Sequence, residues 1–270
     1  MKRLEEYYIR FQEEIRDLWH ENVTAALGEE VNSGTIIRYL LRDKARVGEI
    51  VERVGPSGRG KKILDIGCAY GFYDIILKEE FGCDMVGLEM RESVDAYCRL
   101  LRKHNVPVVE GALSKERINI ADESFDFVIF SEVLEHLRIS PLRALREVHR
   151  VLKPGGMMLL TTPNIGYLRN IAHLMTGKNI LQPFPENDEG LDNVTDALIH
   201  TRAYVMTEVV HLIQKAGMDV ATAGYISSEK LDLRLRLNLA LHLLFIILIT
   251  VIPSFRSSIL IMAGKHSRDH

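Results

Sequence analysis

The stretch that most limits what this chain can fold into is Lys61–Leu77, KKILDIGCAYGFYDIIL. It opens with an apolar, β-prone run (Ile63, Leu64, Ile66) that carries one acid, Asp65, near its end. A turn follows, Gly67-Cys68-Ala69-Tyr70-Gly71, and then an apolar pattern with helical spacing at Phe72, Ile75 and Ile76. Strand, glycine turn and helix in this order open a βαβ unit. Glycine lets the backbone turn sharply and lets a ligand approach the main chain. The free N–H groups of the helix start then suit an anionic part of that ligand. Taken alone, the pattern is equally that of a tight strand-to-helix connection.

The next acid favours the ligand. A second strand, Asp84–Leu88, ends at Glu89, 18 residues beyond Gly71. An acid there, about 20 residues past the turn, is where a doubly wound sheet meets ribose hydroxyls. One carboxylate against two hydroxyls is a bidentate match, which selects adenosine over a bare phosphate. A dinucleotide turn needs three glycines, but Ala69 lies between Gly67 and Gly71. Phe72-Tyr73 stands where a phosphate-binding loop has Lys and Ser or Thr. The turn suits a smaller group than a diphosphate.

On these residues the chain resembles a class I S-adenosylmethionine-dependent methyltransferase, roughly from Lys61 to His266. Ile63–Gly71 resembles the first motif of that family, Val86–Met90 its ribose-binding strand end, Glu123–Leu137 (ESFDFVIFSEVLEHL) the segment through the fourth strand, and Val151–Asn164 (VLKPGGMMLLTTPN) the helix, turn and fifth strand. The resemblance implies an α/β fold with a doubly wound, mostly parallel seven-stranded sheet. It implies S-adenosylmethionine as cofactor and S-adenosylhomocysteine as product. It assigns Asp65, Gly67, Cys68, Ala69, Gly71, Glu89 and Met90 to the cofactor, and places Ser131 and Glu132 beside its methionine half. The family commonly has an Asp after the third strand for the adenine amino group. Here Ala112 occupies that place, which leaves adenine to the Leu113 N–H and apolar packing.

The 270 residues allow one large domain or one domain with additions. Apolar content of 47% and a net charge of −3 fit an ordinary globular protein without a basic field, which argues against bulk nucleic-acid binding. Three cysteines (Cys68, Cys83, Cys98) without metal-ligand spacing read as reduced thiols, and the N-terminus lacks the apolar core of a signal peptide, so a cytoplasmic location is expected.

Leu4, Tyr7, Tyr8, Phe11, Ile15, Leu18 and Trp19 recur at helical steps, and Thr35–Val54 is a second amphipathic stretch. Residues 1–54 therefore read as a helical cap, from which Tyr7, Tyr8, Arg38 and Tyr39 are candidates to reach inward. Gly55-Pro56-Ser57-Gly58 reads as a linker into the main domain, 55–266. Residues 163–203 read as a lid excursion with a short helix over Ile165–Thr176. Leu231–Ile252 lies between the last two strands. As a helix its apolar end, Leu239–Ile252, extends about 21 Å, short of the roughly 30 Å of a bilayer core. A buried helix or a homodimer contact through 237–252 is expected first, and contact with a bilayer surface is the alternative.

A sulfonium methyl brings its own electrophile, so the protein's task is alignment in a closed pocket. The expected acceptor is a small molecule, a glycan or a lipid-linked intermediate. His136 or His200 is the candidate base if the acceptor is a neutral hydroxyl, although a histidine bonded to a backbone carbonyl is as good a reading of His136. A metal-dependent alternative takes Glu132, Glu135 and His136, on one face if a helix begins that early, together with His200, for Mg²⁺ or Mn²⁺. That E-x-x-E-H spacing is similar to metal-dependent small-RNA 2′-O-methyltransferases and some quinone-pathway O-methyltransferases. A non-catalytic scaffold that keeps the fold is the reading from another class.

Overall fold

The computed structural model describes residues 2–20, 23–24, 30–113, 117–181, 200–227 and 239–267. Seven strands form one sheet: β1 (Lys62–Ile66), β2 (Asp84–Glu89), β3 (Val108–Glu110), β4 (Phe125–Ser131), β5 (Leu152–Pro163), β6 (Met218–Ile226) and β7 (Ser258–Lys265). Their order is 3-2-1-4-5-7-6, and only β7 runs antiparallel to its neighbours. The order reverses between β1 and β4, which is where a doubly wound sheet opens a crevice at its carboxyl ends.

Alternation along the strands divides the core in two. Ile63, Phe127, Ile129 and Leu159 face one layer, with Phe11, Ile36, Leu40 and Ile50 from the N-terminal helices. Leu64, Ile66, Val128, Phe130 and Leu160 face the other, with Leu145, Val148 and Ile213. Most of these side chains are fully buried, each stabilising the fold by about 1.5–3 kcal/mol. Burial on both faces explains why β4 reads as a near-continuous apolar run, broken only by Asp126 before its polar end at Ser131.

The N-terminal region forms three helices, α1 (Lys2–Leu18), α2 (Ser33–Arg42) and α3 (Lys44–Gly58). Asn32 caps α2 by accepting from the Thr35 N–H at 3.0 Å. Trp19 is buried, and its indole donates to the Ala96 carbonyl at 3.0 Å. One expectation fails here: Gly55-Pro56-Ser57-Gly58 is not a linker but the last turn of α3. The glycines serve close packing instead. A Cβ on Gly55 would come within 2.7 Å of the Phe81 ring, and one on Gly58 within 2.9 Å of Ile63.

Helix α4 (Phe72–Phe81) follows the glycine turn. Between β2 and β3 the chain forms two short helices, α5 (Arg91–Tyr97) and α6 (Arg99–Lys103), meeting at buried Cys98. Helix α7 (Pro141–Val151) leads into β5. Within the excursion after β5, α8 (Leu168–Met175) matches the expected short helix. Residues 182–199, with the acid run Glu186–Glu189, lie outside the described residues, as do 231–238. Helix α9 (Met206–Lys215) precedes β6, and Gly217, at φ 92°, turns the chain out of it. Helix α10 (Leu239–Val251) precedes β7.

Candidate active site

The glycine turn sits at the carboxyl end of β1. Gly67 and Gly71 hold φ of 75° and 69°, and Ala69 between them holds 43°. Only Gly takes this left-handed region without a steric penalty. Two side chains fill the backs of the glycines: a Cβ on Gly67 would meet Val133 at 2.7 Å, and one on Gly71 would meet Leu101 at 2.1 Å. The turn thus presses main chain against the protein.

Glu89 ends β2 and folds over this turn. It is buried, and its two oxygens accept from the Ala69 and Met90 N–H groups, each at 2.9 Å. Burial pushes its pKa up, and the two N–H groups oppose that shift. Each oxygen keeps a lone pair for further donors, as a pair of ribose hydroxyls requires. The carboxylate does not point to solvent.

Asp65, at the end of β1, is fully buried and accepts from the Tyr73 hydroxyl at 2.9 Å. Burial pushes its pKa up to about 7, against the hydrogen bond from Tyr73. Asp74 is also buried, and burial and the charge of Asp65 raise it strongly. The Asp65 Oδ2 has no hydrogen-bond partner among the described residues. Cys68 and Cys98 bring their sulfurs within 3.9 Å, and the Cys98 thiol donates to the Ala69 carbonyl at 3.5 Å. With Glu89 they form a buried cluster that the spacing of the cysteines did not reveal.

Beyond β4, Ser131 and Glu132 border the same crevice. The Ser131 and Thr161 hydroxyls are 2.8 Å apart, and Thr161 donates to the Glu132 Oε1 at 2.9 Å. Glu132 itself holds φ of 55°. Its other oxygen stands 3.4 Å from Arg46 Nη1. Past the end of β3, where the sequence resemblance puts the adenine, Ala112 is exposed and Leu113 half-buried.

Arg46 is the residue that sequence reasoning missed. Its side chain is only 12% exposed. Nη2 donates to the Tyr39 hydroxyl at 3.1 Å and to Asp43 at 2.7 Å, while Nε is buried without a partner among the described residues. Burial works against its charge, but Tyr39, Asp43 and Tyr73 together hold its pKa above the ordinary value. Asp43, Arg46, Glu132, Ile226, Ser257 and Ser258 line a small open cleft of about 40 Å³. Of the four cap residues expected to reach inward, Tyr39 meets this arginine and Tyr8 is buried nearby. Tyr7 donates to Glu79 and Glu80 on α4, and Arg38 is exposed.

The structure brings Glu135, His136 and His200 together, with one donor atom of each within 4.8 Å of the others. Glu135 is buried. Thr162 donates to its Oε2 at 2.9 Å, and its Oε1 has no hydrogen-bond partner among the described residues but stands 3.9 Å from His136 Nε2. Burial pushes Glu135 up to about 7 and lowers His200. The two imidazoles meet edge to face at 4.7 Å. The peptide around Thr201 fixes His200, because the Thr201 N–H donates to the Glu135 carbonyl at 2.7 Å. Glu132 does not join the group. The expected helical face is absent, because Leu134–His136 is a single 3₁₀ turn and Glu132 precedes it in a left-handed conformation.

Comparison with known proteins gives this geometry a family. The profile of a methyltransferase domain family matches residues 39–222. The ubiquinone biosynthesis O-methyltransferase of Pseudomonas aeruginosa is 34% identical over 144 residues, covering 52% of this chain and 60% of that protein. Its namesake in Pseudomonas entomophila is 32% identical over 146 residues, with the same coverage. The chain therefore spans about 60% of the length of these relatives. Two solved structures share the fold at low identity. A methyltransferase of Archaeoglobus fulgidus gives a TM-score of 0.55 at 18% identity, covering 84% of this chain and 99% of the other. Phosphoethanolamine N-methyltransferase 2 of Haemonchus contortus, in complex with S-adenosylmethionine, gives 0.51 at 16%, covering 82% and 52%. The profile match across most of the chain, on a sheet of this order, makes the chain a member of the class I S-adenosylmethionine-dependent methyltransferase family.

Proposed function

We propose that the enzyme transfers the cofactor's methyl group to a hydroxyl of a small-molecule, glycan or lipid-linked acceptor by in-line displacement, with His136 as the base. The convergence of Glu135, His136 and His200 carries this reading. The new carbon–oxygen bond forms as the carbon–sulfur bond breaks. The sulfur keeps the electron pair as S-adenosylhomocysteine, and the hydroxyl proton passes to His136. Glu135, 3.9 Å away, stabilises the imidazolium. The pseudomonad relatives, named as O-methyltransferases, support oxygen as the atom methylated. Glu89 takes the ribose, and the partnerless Nε of Arg46 suits the cofactor's carboxylate.

The same three side chains support a second reading. One carboxylate and two imidazoles suit a divalent transition metal, and the unpaired, buried Oε1 of Glu135 fits a ligand atom. Such an ion would acidify the acceptor hydroxyl. Transfer of labelled methyl from S-adenosylmethionine into phenolic, glycan and lipid fractions, with and without chelator, separates the two. Unchanged turnover removes the metal, and loss restored by Mn²⁺ removes the free base. His136→Ala is expected to abolish transfer while keeping S-adenosylhomocysteine affinity; retained transfer overturns both.

A further inference from the structure

Helix α10 presents to the outside what a solvated helix keeps inside. Ile249 is buried against the domain and Phe245 packs on the Tyr167 ring at 6.1 Å, so the opposite stripe faces out. That stripe is Leu243, Leu244, Ile247 and Val251, which are 39%, 50%, 55% and 71% exposed. Helix α8, which starts at Tyr167 beside α10, adds exposed Leu174 and Met175. Apolar side chains grouped this way mark an interaction surface.

Charge identifies the partner. Neither Ile165–Leu181 nor Leu239–Ser257 contains an Asp or Glu, while Arg169 and Lys178 are exposed bases, in a chain of net charge −3; Arg256 spends its guanidinium on the Ile249, Tyr225 and Thr250 carbonyls. A symmetric contact between two copies would set this basic rim against itself. A leaflet of anionic lipids complements it. The 13 residues of α10 extend about 20 Å, too short to cross a hydrocarbon core of roughly 30 Å, and no described helix is long and apolar enough to do so.

We propose that α8 and α10 form a docking surface for an anionic bilayer, with α10 lying in the plane of the interface. Ser257, in the lining of the cleft, stands six residues beyond the end of α10, after the Pro253–Phe255 turn, so docking would bring the cleft toward the lipid surface. The acceptor class this favours is an amphiphile whose polar end enters the cleft. That clause rests on the proposed function; the docking does not.

Flotation of the full chain with phosphatidylcholine vesicles, with and without phosphatidylglycerol, tests it. The protein is expected to float with the phosphatidylglycerol vesicles and to bind less as salt rises. Leu244→Asp with Ile247→Asp should weaken binding at least about tenfold, and Lys178→Glu about tenfold. All these positions are exposed, so unchanged S-adenosylhomocysteine affinity serves as the folding control. Failure to float with either vesicle overturns the proposal, as does equal flotation of the Asp variant. A dimer seen by light scattering that the Asp variant dissociates, with no vesicle binding, also overturns it. None of these outcomes bears on methyl transfer, which is assayed separately.

Discussion

In the proposed function Glu89 takes the ribose through lone pairs that its backbone partners leave over, so its removal should be read in affinity. Glu89→Gln keeps the shape and loses the charge. S-adenosylhomocysteine is expected to bind about ten- to a hundredfold more weakly, measured by calorimetry; unchanged affinity would mean the ribose lies elsewhere. Asp65 makes a pH prediction. Its folded pKa of about 7 lies above the ordinary 3.8, so between those values the folded chain holds a proton that the unfolded chain gives up. The stabilisation is complete below the ordinary value and is lost as pH rises through about 7, on the order of 4 kcal/mol shared with Asp74. Urea titrations should show stability falling across that window and a flatter profile for Asp65→Asn. A stability that rises with pH in the wild type alone would contradict the assignment.

Elements show where glycine is structural. Gly71→Ala meets both a left-handed backbone and the Leu101 side chain, so a loss of about 2–4 kcal/mol is expected in denaturation. Gly60, also at positive φ but with open space around it, should lose only the backbone part when changed to Ala, about 1 kcal/mol. Strands β1, β2 and β4 were legible in the sequence because burial on both faces writes mostly apolar runs, interrupted in β1 by Asp65 and in β4 by Asp126, and the turn was legible because its backbone demands glycine. The last turn of α3 was not. Gly55 and Gly58 look like breakers locally, and only the position of Phe81 and Ile63 shows why they are small. Arg46 escaped notice for a related reason: it is one of several arginines on an amphipathic helix, and its burial depends on elements far away in sequence. Glu135 and His136 could be picked out by their spacing. That His200 closes on them follows from the Thr201 hydrogen bond, which leaves no local trace.

At the scale of the molecule, cofactor binding and stability are linked. The site draws on α3, the turn after β1 and the ends of β2 and β4, so a bound ligand clamps both layers of the core to one pocket. S-adenosylhomocysteine at about a hundred times its Kd should stabilise the fold by about 2.7 kcal/mol, a rise of roughly 5–10 °C in Tm for a chain of this size. Glu89→Gln should reduce that rise at the same ligand concentration, read by thermal fluorimetry; a full rise in the variant would contradict the pocket assigned here.

Asn164 joins the proposed docking surface to the cleft. Its side-chain amide donates to the Ser254 and Arg256 carbonyls, each at 2.8 Å, and its backbone N–H donates to the Ser257 carbonyl at 2.9 Å. One residue at the end of β5 thus rivets the tail of the greasy outer helix to the wall of the cleft. Under the proposed docking, any force that seats or lifts that helix would be carried by the same rivet into the wall, so that anchorage and acceptor access would move as one part.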